Sequence, residues 1–264
     1  MSTPTGPNPM TAASSMLAAR RVRRPHPAAA GGRGDVDHSV LGEVLTTLRR
    51  AGAAALRDHR VTLASYRDEL QAFDPDSLSP QAALAYWINL YNAGALDLAA
   101  EASTGGAATV LRIPGGFRRV WARVAGEPLS LDAIEHGKIR RFKDPRIHGG
   151  LVCGSASCPT LRDEPFTGES LDHQLDDQMR SFLAAGGAVR DEAAGRLYLS
   201  RIFLWFGGDF TRPRRMPTLL PARKAAVADA LATWLDPETE AWRLTRGPAI
   251  RFQPYDWSLA CAVR

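Results

Sequence analysis

The sequence predicts a single α/β or α+β domain with more helix than sheet, preceded by a disordered tail. Three observations carry this reading. Apolar residues recur at helical spacing from about residue 38 onward. The strand-like runs are short: Ala188–Arg190, Arg196–Leu199 and Ala249–Phe252. Residues 1–36 are rich in Pro, Ser, Ala, Gly and Arg and carry no apolar period, so they read as a tail ahead of one globular domain at 37–264.

The elements follow in order. Val40, Leu41, Val44, Leu45 and Leu48 give a helix over about His38–Asp58. A shorter helix fits Leu63–Phe73 and stops at Asp74-Pro75-Asp76. Ser79 then suits an N-cap and Pro80 a first helical position. The helix they open carries a stripe of Leu84, Trp87, Ile88, Tyr91, Ala95 and Leu98 against alanines, so it should be buried nearly all round. Asn89 and Asn92 share one of its faces, and buried amides need partners.

Gly105-Gly106 ends that helix. Val110–Ile113 reads as a short strand, and Phe117–Val124 fits strand or helix. Ser130 caps a helix of about three turns carrying Glu135 near its apolar side, where a carboxylate needs a partner. Leu171–Ala184 is an amphipathic helix, and the runs at 188–190 and 196–199 form a hairpin. Ser200–Phe206 is apolar enough for the core. A last helix at Ala222–Leu235 stops at Asp236-Pro237, followed by a strand at Ala249–Phe252.

The bulk properties narrow the function classes. The chain has 264 residues, 45 % of them hydrophobic, and a net charge of +5. The pI is about 9.4. The excess charge sits in Arg20, Arg21, Arg23 and Arg24 and in Arg212, Arg214 and Arg215, which read as solvated basic surface; nucleic acid is not the expected partner. Three cysteines are too few for a disulfide framework. No apolar run reaches the ~18–20 residues of a membrane span. Arg20-Arg21 is followed by prolines and glycines instead of an apolar segment, so no signal peptide is expected, and the reading is a soluble cytoplasmic protein.

The chemistry concentrates in Asp144–Pro159. An apolar Leu151-Val152 runs into Cys153, small residues turn the chain, and Cys158 meets Pro159. Cys158 fits the N-cap of a short helical turn, where the helix dipole would favour thiolate. The amides of Gly154 and Ser155 suit an anion-binding turn beside Cys153. His148 would serve as base with Glu135 orienting it. In an extended strand His148 and Cys153 would stand ~16 Å apart, so a meeting requires the turn to fold back on itself. His136 is a lesser candidate, because a histidine before Gly137 is expected at the surface. Glycine-rich phosphate loops and a Gly-x-Ser-x-Gly elbow are absent.

Four segments together resemble the domain-of-unknown-function 547 family. They are Tyr86–Ala93, Leu129–Gly137, Asp144–His148 with Leu151–Pro159, and Tyr255–Leu259. The resemblance spans about Leu84 to Leu259 and implies a compact domain whose motif residues include Asn89, Asn92, Glu135, His148, Cys153 and Cys158. Gly149-Gly150 stands where a bulkier pair is expected, and Ala260 where a polar residue is expected.

The expectation is a cysteine-dependent hydrolase or acyl transferase, in a papain- or transglutaminase-like arrangement, acting on a small-molecule or peptide amide or thioester. Cys158 or Cys153 would attack, His148 and Glu135 would assist, and Asn89, Asn92 and Ser155 would bind substrate. Four alternatives stay open. The protein could be a non-catalytic binding module with a polar core. Both cysteines could be core residues, or form a redox disulfide. Zinc could be held by Cys153, Cys158, His148 and Glu135; no cofactor is otherwise expected.

Overall fold

The computed structural model describes residues 16–25, 32 and 34–264. Helices predominate, with one two-stranded and one three-stranded sheet among the described residues, which agrees with the predicted α/β or α+β class. The stretch expected to form one domain divides into two compact units. The first takes the chain up to Phe142, then Leu151–Asp172 and Asp256–Arg264. The second takes Lys143–Gly150 and His173–Tyr255.

In the first unit, helix α1 (Ser39–Ala51) buries Leu41, Val44, Leu45 and Leu48. A 3-10 segment, Ala53–His59, follows Gly52, so the long helix expected to Asp58 breaks there. Helix α2 (Arg60–Gln71) buries Leu63, Tyr66 and Leu70 and packs along helix α3, Pro80–Thr104. The predicted cap of α3 is present: the Ser79 hydroxyl accepts the Ala82 amide at 3.2 Å, with Pro80 in the first turn. Its central turns from Ala82 to Leu96 are buried on every side. No helix among the described residues is long and apolar enough to cross a membrane.

Val110–Arg112 is a 3-10 turn, not the expected strand, because the Thr109 hydroxyl accepts the Leu111 amide and closes the chain locally. Strands β1 (Val120–Val124) and β2 (Glu127–Ser130) form an antiparallel hairpin. Its turn is Ala125-Gly126, both at positive φ, which matches strand twist. Ser130 caps the next helix by accepting the Ala133 amide at 3.1 Å. One short α-helix, α4 (Leu131–Ala133), then widens into a π-helical turn over Ile134–Lys138 and tightens into 3-10 over Ile139–Phe142. The regular three-turn helix read from the sequence is therefore replaced by a π-bulged one, a distortion common at functional positions.

Part of the stretch read as a disordered tail reaches this bulge. Residues 16–19 make a helical turn. The Arg141 guanidinium donates to the carbonyls of Val22 and Ala19, each at 3.0 Å, and Lys138 donates to that of Arg23 at 2.7 Å. The remaining residues of that stretch before 34, apart from 20–25 and 32, lie outside the described residues.

In the second unit, helix α5 (Ile147–Gly150) is short and buried. Helix α6 (Leu171–Phe182) begins in the first unit and buries Leu175 and Met179 on its apolar face. The predicted hairpin is present: β3 (Ala188–Asp191) pairs antiparallel with β4 (Arg196–Leu199). Strand β5 (Ala249–Phe252) adds to β4 in parallel, giving the order β3-β4-β5. The apolar run after Ser200 is a pair of short helices, α7 (Arg201–Trp205) and α8 (Gly207–Thr211). They pack with α9 (Lys224–Leu231) over Leu197, Leu199, Phe203, Phe210 and Val227. Helix α10 (Pro237–Arg246) is capped by Asp236, whose carboxylate accepts the Thr239 amide at 2.9 Å.

Candidate functional site

Helix α3 supplies the scaffold of a cysteine-bearing loop in the first unit. The buried Asn89 uses both ends of its amide on one residue: Nδ2 donates to the Phe166 carbonyl at 2.7 Å and Oδ1 accepts the Phe166 amide at 3.0 Å. It fixes the returning loop. One turn on, Asn92 Oδ1 accepts the Val152 amide at 3.1 Å, directly ahead of Cys153. The apolar pair Leu151-Val152 joins no sheet. Between the two asparagines, the Tyr91 hydroxyl donates to Glu135 Oε2 at 3.1 Å. Glu135 thus finds its partner across 44 residues of sequence. Burial raises the Tyr91 hydroxyl well above its ordinary pKa, and the neighbouring Glu135 and two cysteines push the same way, so Tyr91 keeps its proton.

The loop itself turns sharply at Gly154, whose φ of 76° is a left-handed value that suits glycine. The Cys158 amide then donates to the Ser155 carbonyl at 3.1 Å, which closes the turn. As a result the two sulfurs meet: Cys153 Sγ and Cys158 Sγ stand 2.8 Å apart, neither residue is in a disulfide, and both are partly exposed. The Cys153 amide donates to Cys158 Sγ at 2.9 Å, and Cys153 Sγ lies 3.0 Å from the Ser155 hydroxyl. The expected helix beginning at Cys158 does not form; Cys158–Leu161 is irregular. The amide of Cys153, not a helix dipole, faces the sulfur.

The chain's last residues hold the loop from outside. The amides of Ala156 and Ser157 donate to the carbonyls of Ser258 and Asp256, at 2.9 and 3.2 Å. The Ala260 amide donates back to the Gly154 carbonyl at 3.0 Å. Ser155 and Leu259 form an isolated antiparallel bridge. The amides of residues 156 and 157, next to the Gly154 and Ser155 amides expected to form an anion-binding turn, are therefore engaged by backbone. The polar side chain expected at position 260 would add nothing to this role, because the contact is made by main-chain atoms. Cys261 enters here as a residue the sequence did not single out. Burial pushes its thiol up to about 12, with a further contribution from Cys158. A small open recess of about 60 Å3 adjoins the loop, lined by Val152, Ser155, Cys158, Pro159, Leu161 and Cys261 among others.

His148 lies in the second unit, on α5 instead of a strand, and is 3 % exposed. Its Nε2 stands 2.9 Å from Asp209 Oδ2, and its ring stacks on Phe206 at 4.0 Å between centroids. The acid paired with His148 is therefore Asp209, on α8, where the sequence reading had assigned Glu135. Asp209 is fully buried and also accepts the Thr218 amide at 3.2 Å. One signal could have pointed to it: a lone carboxylate in the apolar run from Ile202 to Phe210 must find a partner. Asp144 and Asp176 both hold Arg146, at 2.7 and 3.1 Å, which ties down the turn ahead of α5. The Gly149 of the unexpected glycine pair faces Met179: a Cβ there would fall 2.6 Å from its sulfur. The bulkier residue expected at that position has no room.

His136, expected at the surface, is buried, and the Arg140 guanidinium stands 3.2 Å from its Nδ1. No group of three or more His, Cys, Asp or Glu placed to hold a metal ion occurs among the described residues.

No curated protein and no solved structure matches the chain. The family model described as "Protein of unknown function, DUF547" matches residues 75–183, which include Asn89, Asn92, Glu135, His148, Cys153 and Cys158 but not the C-terminal segment that braces the cysteine loop. What the comparison shows is similarity to the DUF547 family over residues 75–183.

Proposed function

We propose that the protein is a cysteine-dependent hydrolase or acyl transferase whose nucleophile is Cys158. The observation that carries this reading is the amide of Cys153 aimed at Cys158 Sγ at 2.9 Å. An N–H donated to sulfur favours the charged form, which is the reactive one. Cys153 has another partner for its own thiol in the Ser155 hydroxyl, at 3.0 Å, so the negative charge belongs on Cys158. The small open recess beside Cys158, walled by Pro159 and Leu161, leaves a side from which a carbonyl can approach.

In the proposed reaction the Cys158 thiolate adds to the carbonyl of an amide or thioester. The leaving amine or thiol departs with a proton taken from water, and a thioester to Cys158 remains. Water or a second nucleophile then takes the acyl group and returns the thiol. Tyr91, buried beside the loop, keeps its proton and donates a hydrogen bond to Glu135. Asn92 has a positioning role, because it fixes the backbone one residue ahead of Cys153.

Iodoacetamide labelling of the native, reduced chain at pH 7, followed by mass mapping, tests the reading. Cys158 should label faster than a free thiol and faster than Cys153 and Cys261. Labelling of Cys158 no faster than a free thiol would remove it.

A further inference from the structure

The second thiol is more than an acyl-transfer nucleophile needs. A catalytic cysteine works with one sulfur, yet here a second one touches it at 2.8 Å. Neither is in a disulfide, both are partly exposed, and only four residues separate them in the chain. Closing the gap to a disulfide requires a movement of roughly 1 Å, since bonded sulfurs stand about 2.0 Å apart. The surrounding turn is fixed by bonds that do not involve the sulfurs: Cys158 N to the Ser155 carbonyl, Ala156 N to Ser258, Ser157 N to Asp256 and Ala260 N to Gly154.

We infer that Cys153 is a resolving thiol, and that the Cys153–Cys158 pair is a reversible switch closed by hydroperoxides. The inference rests on Cys158 being the reactive thiolate. The Cys158 thiolate attacks one oxygen of the peroxide; an S–O bond forms, the O–O bond breaks, and the second oxygen leaves as water or an alcohol after taking a proton. Cys158 is then a sulfenic acid. The Cys153 sulfur attacks it, the S–S bond forms, the S–O bond breaks, and water leaves with the Cys153 proton. Two thiols lose two electrons in total, and the peroxide gains them. The disulfide removes the nucleophile; a dithiol reductant restores it by exchange.

The recess gives a small oxidant access, and the contact at 2.8 Å makes Cys153, not Cys261, the partner. With its thiol held up to about 12, Cys261 is a poor nucleophile near neutral pH. Cys153 competes from direct contact. Its neighbour Ser155, 3.0 Å from the sulfur, helps hold the Cys153 side chain in place.

The test uses the full reduced chain, hydrogen peroxide, a maleimide quench and non-reducing peptide mapping. Cleavage after Arg146 and Arg162 leaves both cysteines on one peptide, residues 147–162. The expected product is that peptide, two hydrogens lighter and unreactive to maleimide, and fully restored by dithiothreitol. In Cys153→Ser, Cys158 should instead go on to sulfinic acid that dithiothreitol does not reverse. Sulfinic acid on Cys158 of the unsubstituted chain, with Cys153 still open to maleimide, would overturn the switch but leave the nucleophile standing. So would a bridge from Cys158 to Cys261. Slow alkylation of Cys158 in the reduced chain would instead remove the nucleophile reading, whatever the peroxide product.

Discussion

His148 Nε2 and Asp209 Oδ2 stand 2.9 Å apart in a site where neither side chain meets water to any extent, at 2 % and 0 % side-chain exposure. The carboxylate takes two donors there, His148 on one oxygen and the Thr218 amide on the other. Asp209→Asn keeps the shape but offers one acceptor oxygen, so one of the two donors is stranded. It should cost about 1–3 kcal/mol of stability. Asp209→Ala removes both acceptors and should cost about 3–5 kcal/mol. Urea unfolding of the three proteins measures the series; equal stability of Asn and Ala variants would contradict it.

Asn89 and Asn92 do different work although they lie one turn apart. Each substitution to alanine leaves buried backbone groups unpaired and should lower stability by about 1–3 kcal/mol. Only Asn92 holds the backbone ahead of Cys153. Asn92→Ala should therefore also change the alkylation rate of Cys158 several-fold, while Asn89→Ala, whose partner is Phe166, should leave that rate within twofold. Thermal melts and iodoacetamide rates on the same samples separate the two effects.

His38 makes stability depend on pH. It is buried on the Tyr66 hydroxyl, 2.6 Å from its Nδ1, and burial lowers its pKa to about 4. The unfolded chain carries an ordinary histidine near 6.5. Between those values the unfolded state binds a proton that the folded state refuses. The stabilising effect is therefore whole above pH ~6.5 and fades as pH falls toward 4, by about 3 kcal/mol across the window. His38→Gln should flatten the decline in urea-unfolding free energy between pH 7 and 4.5. An unchanged slope in that variant would show that other groups set it.

How far the sequence reached depended on whether the signal was local. Ser79-Pro80 opened a helix as expected because cap and first-turn proline act within one turn. The hairpin at 188–199 and the strand at 249–252 followed from short alternating runs. The π-helical turn at Ile134–Lys138 was hidden, since a register shift of one hydrogen bond leaves the apolar spacing almost unchanged. Helix α5 was hidden too: Gly149-Gly150 argues against helix by propensity, and the Met179 packing that requires the small residue is thirty positions away. Candidate residues were found by type, but their partners were not. Tyr91 with Glu135, His148 with Asp209 and Cys261 near Cys158 are pairings across 44, 61 and about a hundred residues. Only tertiary structure assigns such partners.

The account turns on charge residing on Cys158, and the pH dependence of alkylation at that one sulfur measures it most directly. Rates of iodoacetamide reaction between pH 5 and 9, resolved by residue through mass mapping, give a titration curve for each thiol. The curve for Cys158 should rise at lower pH than that of a free cysteine, with Cys153 and Cys261 rising later. A Cys158 curve that coincides with that of free cysteine, or lies above it in pH, would contradict the assignment of Cys158 as nucleophile.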